Sequence, residues 1–315
     1  MSTITVVTPC YNSRSFIADA VASVRSQDTA DWNYVLVDDG STDGTPDILL
    51  ELSRTDPRIQ IMNQANAGTC QARNLGASRA RPDSQYLLFL DHDDMLEPNA
   101  LRVLSDHLET HPDVCVAGCQ FREINVDGVP GSMRTRSRWV PSVLNIPRPL
   151  RPSEYETPFA TFYCATGQGP FAMFRRSIFE QAGGWTTEFW PHEDTDLFCK
   201  MALLGKIHYL PDRLYRKRAH AGNALNDTER LMSAYGLFRK KWDRFKPRNE
   251  AEAATLREAA RFYRASFRPL RHIKVGSKAV GEFVRSRDPA KLRWALSLFG
   301  AALRDAIRYR MGATS

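Results

Sequence analysis

The 315-residue sequence predicts an α/β fold with a mostly parallel central sheet, followed by a helical extension. Three observations carry this expectation. Short apolar runs recur with stretches of helical period between them, as parallel crossover units require. The second and fourth runs, Tyr34–Val37 and Tyr86–Leu90, are apolar throughout rather than alternating, which is the pattern of strands covered on both faces. The first, second and fourth runs lead into Pro, Asn or acidic residues, and the third is followed by Asn-Ala-Gly, so one edge of the sheet gathers polar side chains.

Taken in order, Ile4–Thr8 is β-branched and reads as the first strand. Pro9-Cys10-Tyr11-Asn12-Ser13 breaks it, and a helix is expected over 15–27. Tyr34–Val37 is the second strand and ends in Asp38-Asp39-Gly40-Ser41-Thr42-Asp43-Gly44. Asp43 or Thr45 is placed to cap a helix over 46–54. Ile59–Met62 is a third strand, followed by Asn66-Ala67-Gly68-Thr69 and a helix reaching Ala80. The fourth strand, Tyr86–Leu90, runs into Asp91-His92-Asp93-Asp94. A helix over 100–111 and a strand over 114–120 come next. Residues 125–157 are rich in Pro, Arg and Ser and read as a long loop, the kind that serves as a lid or specificity element. Residues 171–174 are apolar, 177–182 and 194–204 helical, and 207–210 strand-like. Beyond about Leu225 the pattern is helical, with a break at Lys246-Pro247-Arg248-Asn249.

The acidic string after the fourth strand carries the sharpest chemistry. In extended backbone Asp91 and Asp93 share a face, while His92 and Asp94 take the other. Two neighbouring carboxylates repel unless a cation or shared proton joins them, and oxygen donors suit a hard ion, Mg²⁺ or Mn²⁺. An ordinary alternative is a solvated turn, with Asp94 capping the helix that begins near Pro98. The other strand ends add Thr8-Pro9-x-Tyr11-Asn12, whose aromatic ring offers a base a stacking surface. Asp38-Asp39 can accept from ring N–H groups or ribose hydroxyls, and Asn66, Gly68 and Arg73 can approach a ligand closely. Each residue alone could be packing, a cap or a surface ion pair. Their placement at successive strand ends points to one crevice.

These stretches, together with Ala72-Arg73-Asn74, Gly183-Gly184-Trp185 and His192-Glu193-Asp194-Thr195-Asp196-Leu197, resemble the family 2 glycosyltransferases of the GT-A fold. The resemblance covers about residues 3–224. It implies a three-layer sandwich and an inverting, metal-dependent enzyme of the hexosyltransferase type. Such an enzyme moves sugar from a nucleotide sugar, a UDP-sugar, to a glycan or lipid-linked acceptor in polysaccharide or glycoconjugate assembly. By resemblance Thr8, Tyr11 and Asp39 hold the nucleoside, with Asp38 and Arg73 beside them. Asp91 and Asp93 meet ribose and metal. Asp194, paired with Glu193, is the general base that a poorly nucleophilic sugar hydroxyl needs. Gly167 and Gly169 match the loop beside the donor sugar, and His220 matches a histidine that joins the metal or diphosphate. On this basis residues 1–224 are the catalytic domain, divided near residue 95 into nucleotide and acceptor halves, and 225–315 a basic extension. Residues 120–165 match no motif, so the acceptor is unspecified.

Charge is unevenly distributed: residues 225–315 hold 21 Lys and Arg against 9 acids, and the first 224 hold 22 against 27. Leu292, Leu296, Phe299, Leu303 and Ile307 recur at helical spacing, with Arg293, Arg304 and Arg308 on another face. A packed helix explains such a stripe; peripheral contact with an anionic membrane is the functional alternative. No nucleic-acid motif accompanies the charge. The six cysteines form no Cys-x-x-Cys pair, and no signal peptide or run of about 18 apolar residues is present, so a reduced, cytoplasmic setting is expected. Two rival readings are a nucleotidyltransferase, for which Glu193 and Asp194 would be dispensable, and a non-catalytic nucleotide- or carbohydrate-binding module.

Overall fold

The computed structural model describes residues 3–130, 171–220 and 228–250, with scattered positions between 252 and 296. The chain divides into two compact units, Met1–Thr135 with Leu150–Lys246, and Arg136–Pro149 with Pro247–Ser315. In the second unit Arg248 grips Glu252, four residues further on, at 2.8 Å. All elements named below lie in the first.

They follow the order β1 (Thr3–Cys10), α1 (Ile17–Arg25), β2 (Trp32–Asp38), α2 (Thr45–Thr55), β3 (Ile59–Asn63), α3 (Thr69–Ser78) and β4 (Ser84–Phe89). Then come β5 (Met95–Leu96), α4 (Ala100–Thr110), β6 (Val114–Ile124), β7 (Ala172–Arg175), α5 (Arg176–Gln181), α6 (Glu193–Ala202), β8 (Lys206–Arg218) and α7 (Thr228–Arg244). One eight-stranded sheet has the order β3-β2-β1-β4-β7-β6-β8-β5. Strands β1 to β4 pair in parallel, as do β6 and β8, and β7 runs antiparallel between β4 and β6.

The continuous apolar runs exist because each central strand feeds two cores. Ile4, Val6, Tyr34, Leu36, Tyr86 and Leu88 face one side, where Ile17, Val21 and Val24 of α1 and Leu101, Leu104 and Leu108 of α4 cover them. Val7, Val35, Val37, Leu87 and Phe89 face the other, against α3, Phe179 of α5, and Leu197, Phe198 and Met201 of α6. Full burial of each such side chain contributes about 1.5–3 kcal/mol. Close helix–sheet contact on this second face requires a glycine in α3: a Cβ at Gly76 would lie 2.3 Å from a Val7 methyl.

Three local expectations are corrected. Asp94 does not cap α4; Asn99 stands at that position, and Asp94 is engaged elsewhere. Strand β8 extends to Arg218, because its polar half pairs with β6 at Gln120–Ile124 and with the two-residue edge strand β5. Helix α6 spans Glu193–Ala202 rather than 194–204, so Asp194 lies inside its first turn, and His192, at φ 89°, is the residue before the helix. The long loop expected over 125–157 lies outside the described residues beyond position 130, as do Gly167 and Gly169.

Candidate active site

The parallel order of β3, β2, β1 and β4 aligns their carboxyl ends, and the polar residues of four strand ends meet there. Loop is sewn to loop. Asn12, at φ 50°, accepts from the Thr42 N–H at 2.9 Å, and its own N–H donates to the Ser41 hydroxyl at 3.0 Å. Asp39 accepts from the backbone N–H groups of Ala67 (2.8 Å) and Gly68 (2.9 Å) and from the Gln64 amide (2.6 Å). Its buried carboxylate thereby shapes the β3–α3 turn. Asp38 accepts from the Ser41 N–H at 3.2 Å. Thr8 and Pro9 are buried, and the Thr8 hydroxyl donates to the Leu90 carbonyl at 2.7 Å beside the Tyr34 hydroxyl at 2.8 Å. Tyr11 is 48% exposed at the rim, and Asn66 and Gly68 are exposed as well.

The strand conformation stops at Phe89, and the Asp94 N–H donates to the Asp91 carbonyl at 3.1 Å. This turn overrides the alternation expected of extended chain. Asp91, Asp93 and Asp94 therefore converge, each offering an oxygen within 4.8 Å of the others. Burial, then the charge of Asp93, pushes the Asp94 carboxyl well above its usual range. Burial would raise Asp91 too, but the Arg73 guanidinium outweighs it and holds that carboxyl low. His220 Nε2 stands 2.7 Å from Asp93 Oδ2. Arg218 fixes this approach. Its backbone N–H donates to Asp94 at 2.7 Å, its Nε to the Asp93 carbonyl at 2.9 Å, and its Nη2 to Asp19 at 2.8 Å. Crowded carboxylates, one of them forced toward its neutral form, beside an imidazole, are a donor set that fits a divalent cation.

Arg73 joins this cluster to α6. It is 2% exposed, donates to Asp91 at 2.6 Å and to Glu193 at 3.1 Å, and its guanidinium lies 4.5 Å from the Trp185 ring centre. Trp185 is held in turn by Asn74 of α3, which accepts from its N–H at 2.9 Å and donates to its carbonyl at 2.8 Å. Burial, then Asp194, pushes Glu193 up to about 7. Burial also raises Asp194, although that carboxylate accepts from the Thr195 N–H at 2.6 Å.

Asp91, Asp93, His220, Arg73, Glu193 and Asp194 are thus joined through one chain of contacts and neighbours. Tyr11, Asn66 and Gly68 border the same edge, with Asp38 and Asp39 supporting it. Asp94, Arg218, Tyr215 and Trp185 were not picked out as site residues by sequence pattern. Asp94 stood in plain view within the acidic string. Tyr215, whose hydroxyl accepts from the Asp91 N–H at 3.2 Å, and Arg218 become visible only when β8 returns beside the turn.

A mixed, mostly parallel sheet with an acidic turn at a central strand end and a carboxylate pair on a facing helix, Glu193 buried and Asp194 half-buried, defines a GT-A glycosyltransferase. The chain belongs to glycosyl transferase family 2, whose family model matches residues 5–183. It is 41% identical over 99 residues to TuaG of Bacillus subtilis (strain 168), provisionally named a teichuronic acid biosynthesis glycosyltransferase; the match covers 31% of this chain and 38% of that one. Staphylococcus aureus TarS 1–349, solved with UDP-GlcNAc, superposes with a TM-score of 0.63 at 19% identity, covering 98% of this chain and 92% of that one. The mannosyltransferase PcManGT of Pyrobaculum calidifontis, solved with GDP-Man and Mn²⁺, gives a TM-score of 0.63 at 19% identity, covering 99% and 79%. Matches to curated relatives span between 21% and 49% of their length. No helix among the described residues is long and apolar enough to cross a membrane.

Proposed function

We propose that this glycosyltransferase transfers a sugar from a UDP-sugar to a glycan or lipid-linked acceptor, with inversion at the anomeric carbon. The observation that carries the reading is the double engagement of Arg73, which ties the acidic turn to the first turn of α6. Two groups of opposite duty are thereby held in register. Asp194, its proton affinity raised by burial, takes the proton of the acceptor hydroxyl. Glu193, gripped by Arg73, positions that base and keeps the guanidinium in place. Tyr11 offers its exposed ring to the uracil face, and Asp39 organises the turn that borders the ribose. Asp91, Asp93 and His220 would hold Mn²⁺ or Mg²⁺, whose charge offsets that of the departing diphosphate. The UDP-GlcNAc bound by TarS supports the uridine donor, and the Mn²⁺ of PcManGT supports the metal. The net basic charge of residues 225–315 supports a role in peripheral membrane contact, tested by co-sedimentation with anionic liposomes at low salt.

Calorimetric titration of UDP with and without Mn²⁺, on wild type and Asp93→Ala, tests the donor site. UDP is expected to bind only with metal, and Asp93→Ala to abolish that binding. Absence of both UDP and GDP binding in the presence of Mn²⁺ would overturn the reading.

A further inference from the structure

A second set of metal-ligating side chains lies apart from the acidic turn. We propose that His107, His111 and His208 form a site for one transition-metal ion of the Zn²⁺ class, pinning the carboxyl end of α4 to β8. His107 and His111 lie four residues apart, on one face of the helix and its last turn. His208 rises from the start of β8 to meet them, and one ring nitrogen from each lies within 4.8 Å of the others.

Two of the three ring spacings fit convergence on a single ion. Zinc–imidazole bonds of about 2.0–2.1 Å put ring centres roughly 3.2 Å from the metal, so tetrahedral ligands have centres about 5.2 Å apart. His208 lies 5.1 Å from His107 and 5.3 Å from His111. His107 and His111 are closer, stacked at 4.3 Å with their planes 23° apart, and must open by about 1 Å and tilt toward each other to reach a tetrahedral arrangement.

The donor atoms are also assigned. His107 Nε2 and His208 Nδ1 stand 2.8 Å apart, so one proton lies between them. A metal ion replaces that proton and releases it to solvent. His111 Nδ1 lies 2.9 Å from the His107 carbonyl and 3.0 Å from the Thr110 hydroxyl, leaving Nε2 as its ligand atom. An oxygen partner on the non-ligating nitrogen fixes ring orientation, as metal-binding histidines require. Burial and the two neighbouring imidazoles hold His107 neutral, pushing its pKa down to about 4. Nearby Asp113 is engaged by Lys206 at 2.8 Å. An all-nitrogen set selects Zn²⁺, Cu²⁺, Ni²⁺ or Co²⁺ over Mg²⁺ or Mn²⁺, the reverse of the oxygen-rich turn. The two sites also lie at opposite ends of β8, since His208 is near its start and His220 just past its end.

The test is calorimetric titration of ZnCl₂ into the tag-free full chain carrying Asp93→Ala, which weakens zinc binding at the acidic turn. One equivalent of Zn²⁺ is expected to bind, to raise Tm, and to resist displacement by excess Mg²⁺. Adding His111→Ala, at a partly exposed ring, is expected to weaken zinc at least tenfold with an unchanged circular dichroism spectrum. Adding His107→Asn is expected to do the same. Absence of zinc binding, or equal affinity in the His111→Ala protein, would overturn the proposal.

Discussion

Arg73 and Glu193 meet at 3.1 Å across 120 residues of sequence, and the same guanidinium holds Asp91 at 2.6 Å. One buried cation therefore serves carboxylates from two separate parts of the fold. Removing it with Arg73→Met strands two acids in a low-dielectric setting, which costs about 3–5 kcal/mol. Arg73→Lys keeps the charge but loses the planar fork that reaches both partners, so it should destabilise as well, though less. Urea unfolding monitored by tryptophan fluorescence measures both. A wild-type midpoint for Arg73→Met would show that the two contacts are not coupled to folding.

The pH dependence of stability follows from Glu193. Its folded-state pKa stands near 7 against an ordinary 4.5, because burial disfavours the charged form more than Arg73 favours it. Between those values the folded chain binds more protons than the unfolded one, so stability falls as pH rises from about 5 to about 7. The integrated effect is at most about 3 kcal/mol. Glu193→Gln should flatten this slope and leave the protein no less stable than wild type near pH 8. Parallel urea titrations across that range decide it, and an undiminished slope in the variant would assign the dependence to another group.

Asp194 separates chemistry from binding. Asp194→Asn keeps the shape and can still accept from the Thr195 N–H, which is 2.6 Å away in the parent, but it cannot take a proton. General-base loss is expected to lower kcat by about 10²–10⁴ while UDP affinity with Mn²⁺ stays within a few-fold. Steady-state kinetics beside calorimetry gives both numbers. Retained kcat would exclude Asp194 as the base and favour Glu193.

Much of this architecture was legible because β1, β2 and β4 are covered on both faces. Val35, Leu36 and Val37 announce a strand by lacking any polar alternation, and the turn residues that follow mark the site edge. Strand β8 was only partly legible. Its first half is apolar, whereas Asp212, Arg213, Arg216 and Lys217 hide the rest, and Met95-Leu96 is too short to show a period. Membership of the acidic cluster was readable, but its geometry was not. Asp91 and Asp93 seemed to share a face that excluded Asp94, and only the turn, locked by Arg218 from β8, brings all three together. Pairings such as Arg73 with Glu193 or Asn74 with Trp185 depend on tertiary approach, which no local pattern encodes.

Helix α7 is fastened to α6 through Asp196, two residues beyond Asp194. That side chain is fully buried; it accepts from the Trp242 indole N–H at 2.9 Å and from Lys241 at 3.0 Å, with Lys200 at 3.5 Å. Three donors converge on one carboxylate, so its removal leaves two ammonium groups without their shared counter-charge. Both lysines retain some solvent contact, which lowers the penalty below that of a fully buried pair. Asp196→Ala is expected to destabilise by about 2–3 kcal/mol. Asp196→Asn, which keeps an acceptor for Trp242, should destabilise less. A double-mutant cycle with Lys241→Met isolates the pair, and a coupling of about 0.5–3 kcal/mol is expected for residues in direct contact. Additive changes in that cycle would mean that α7 is held by the packing of Phe238 against Phe189 rather than by Asp196.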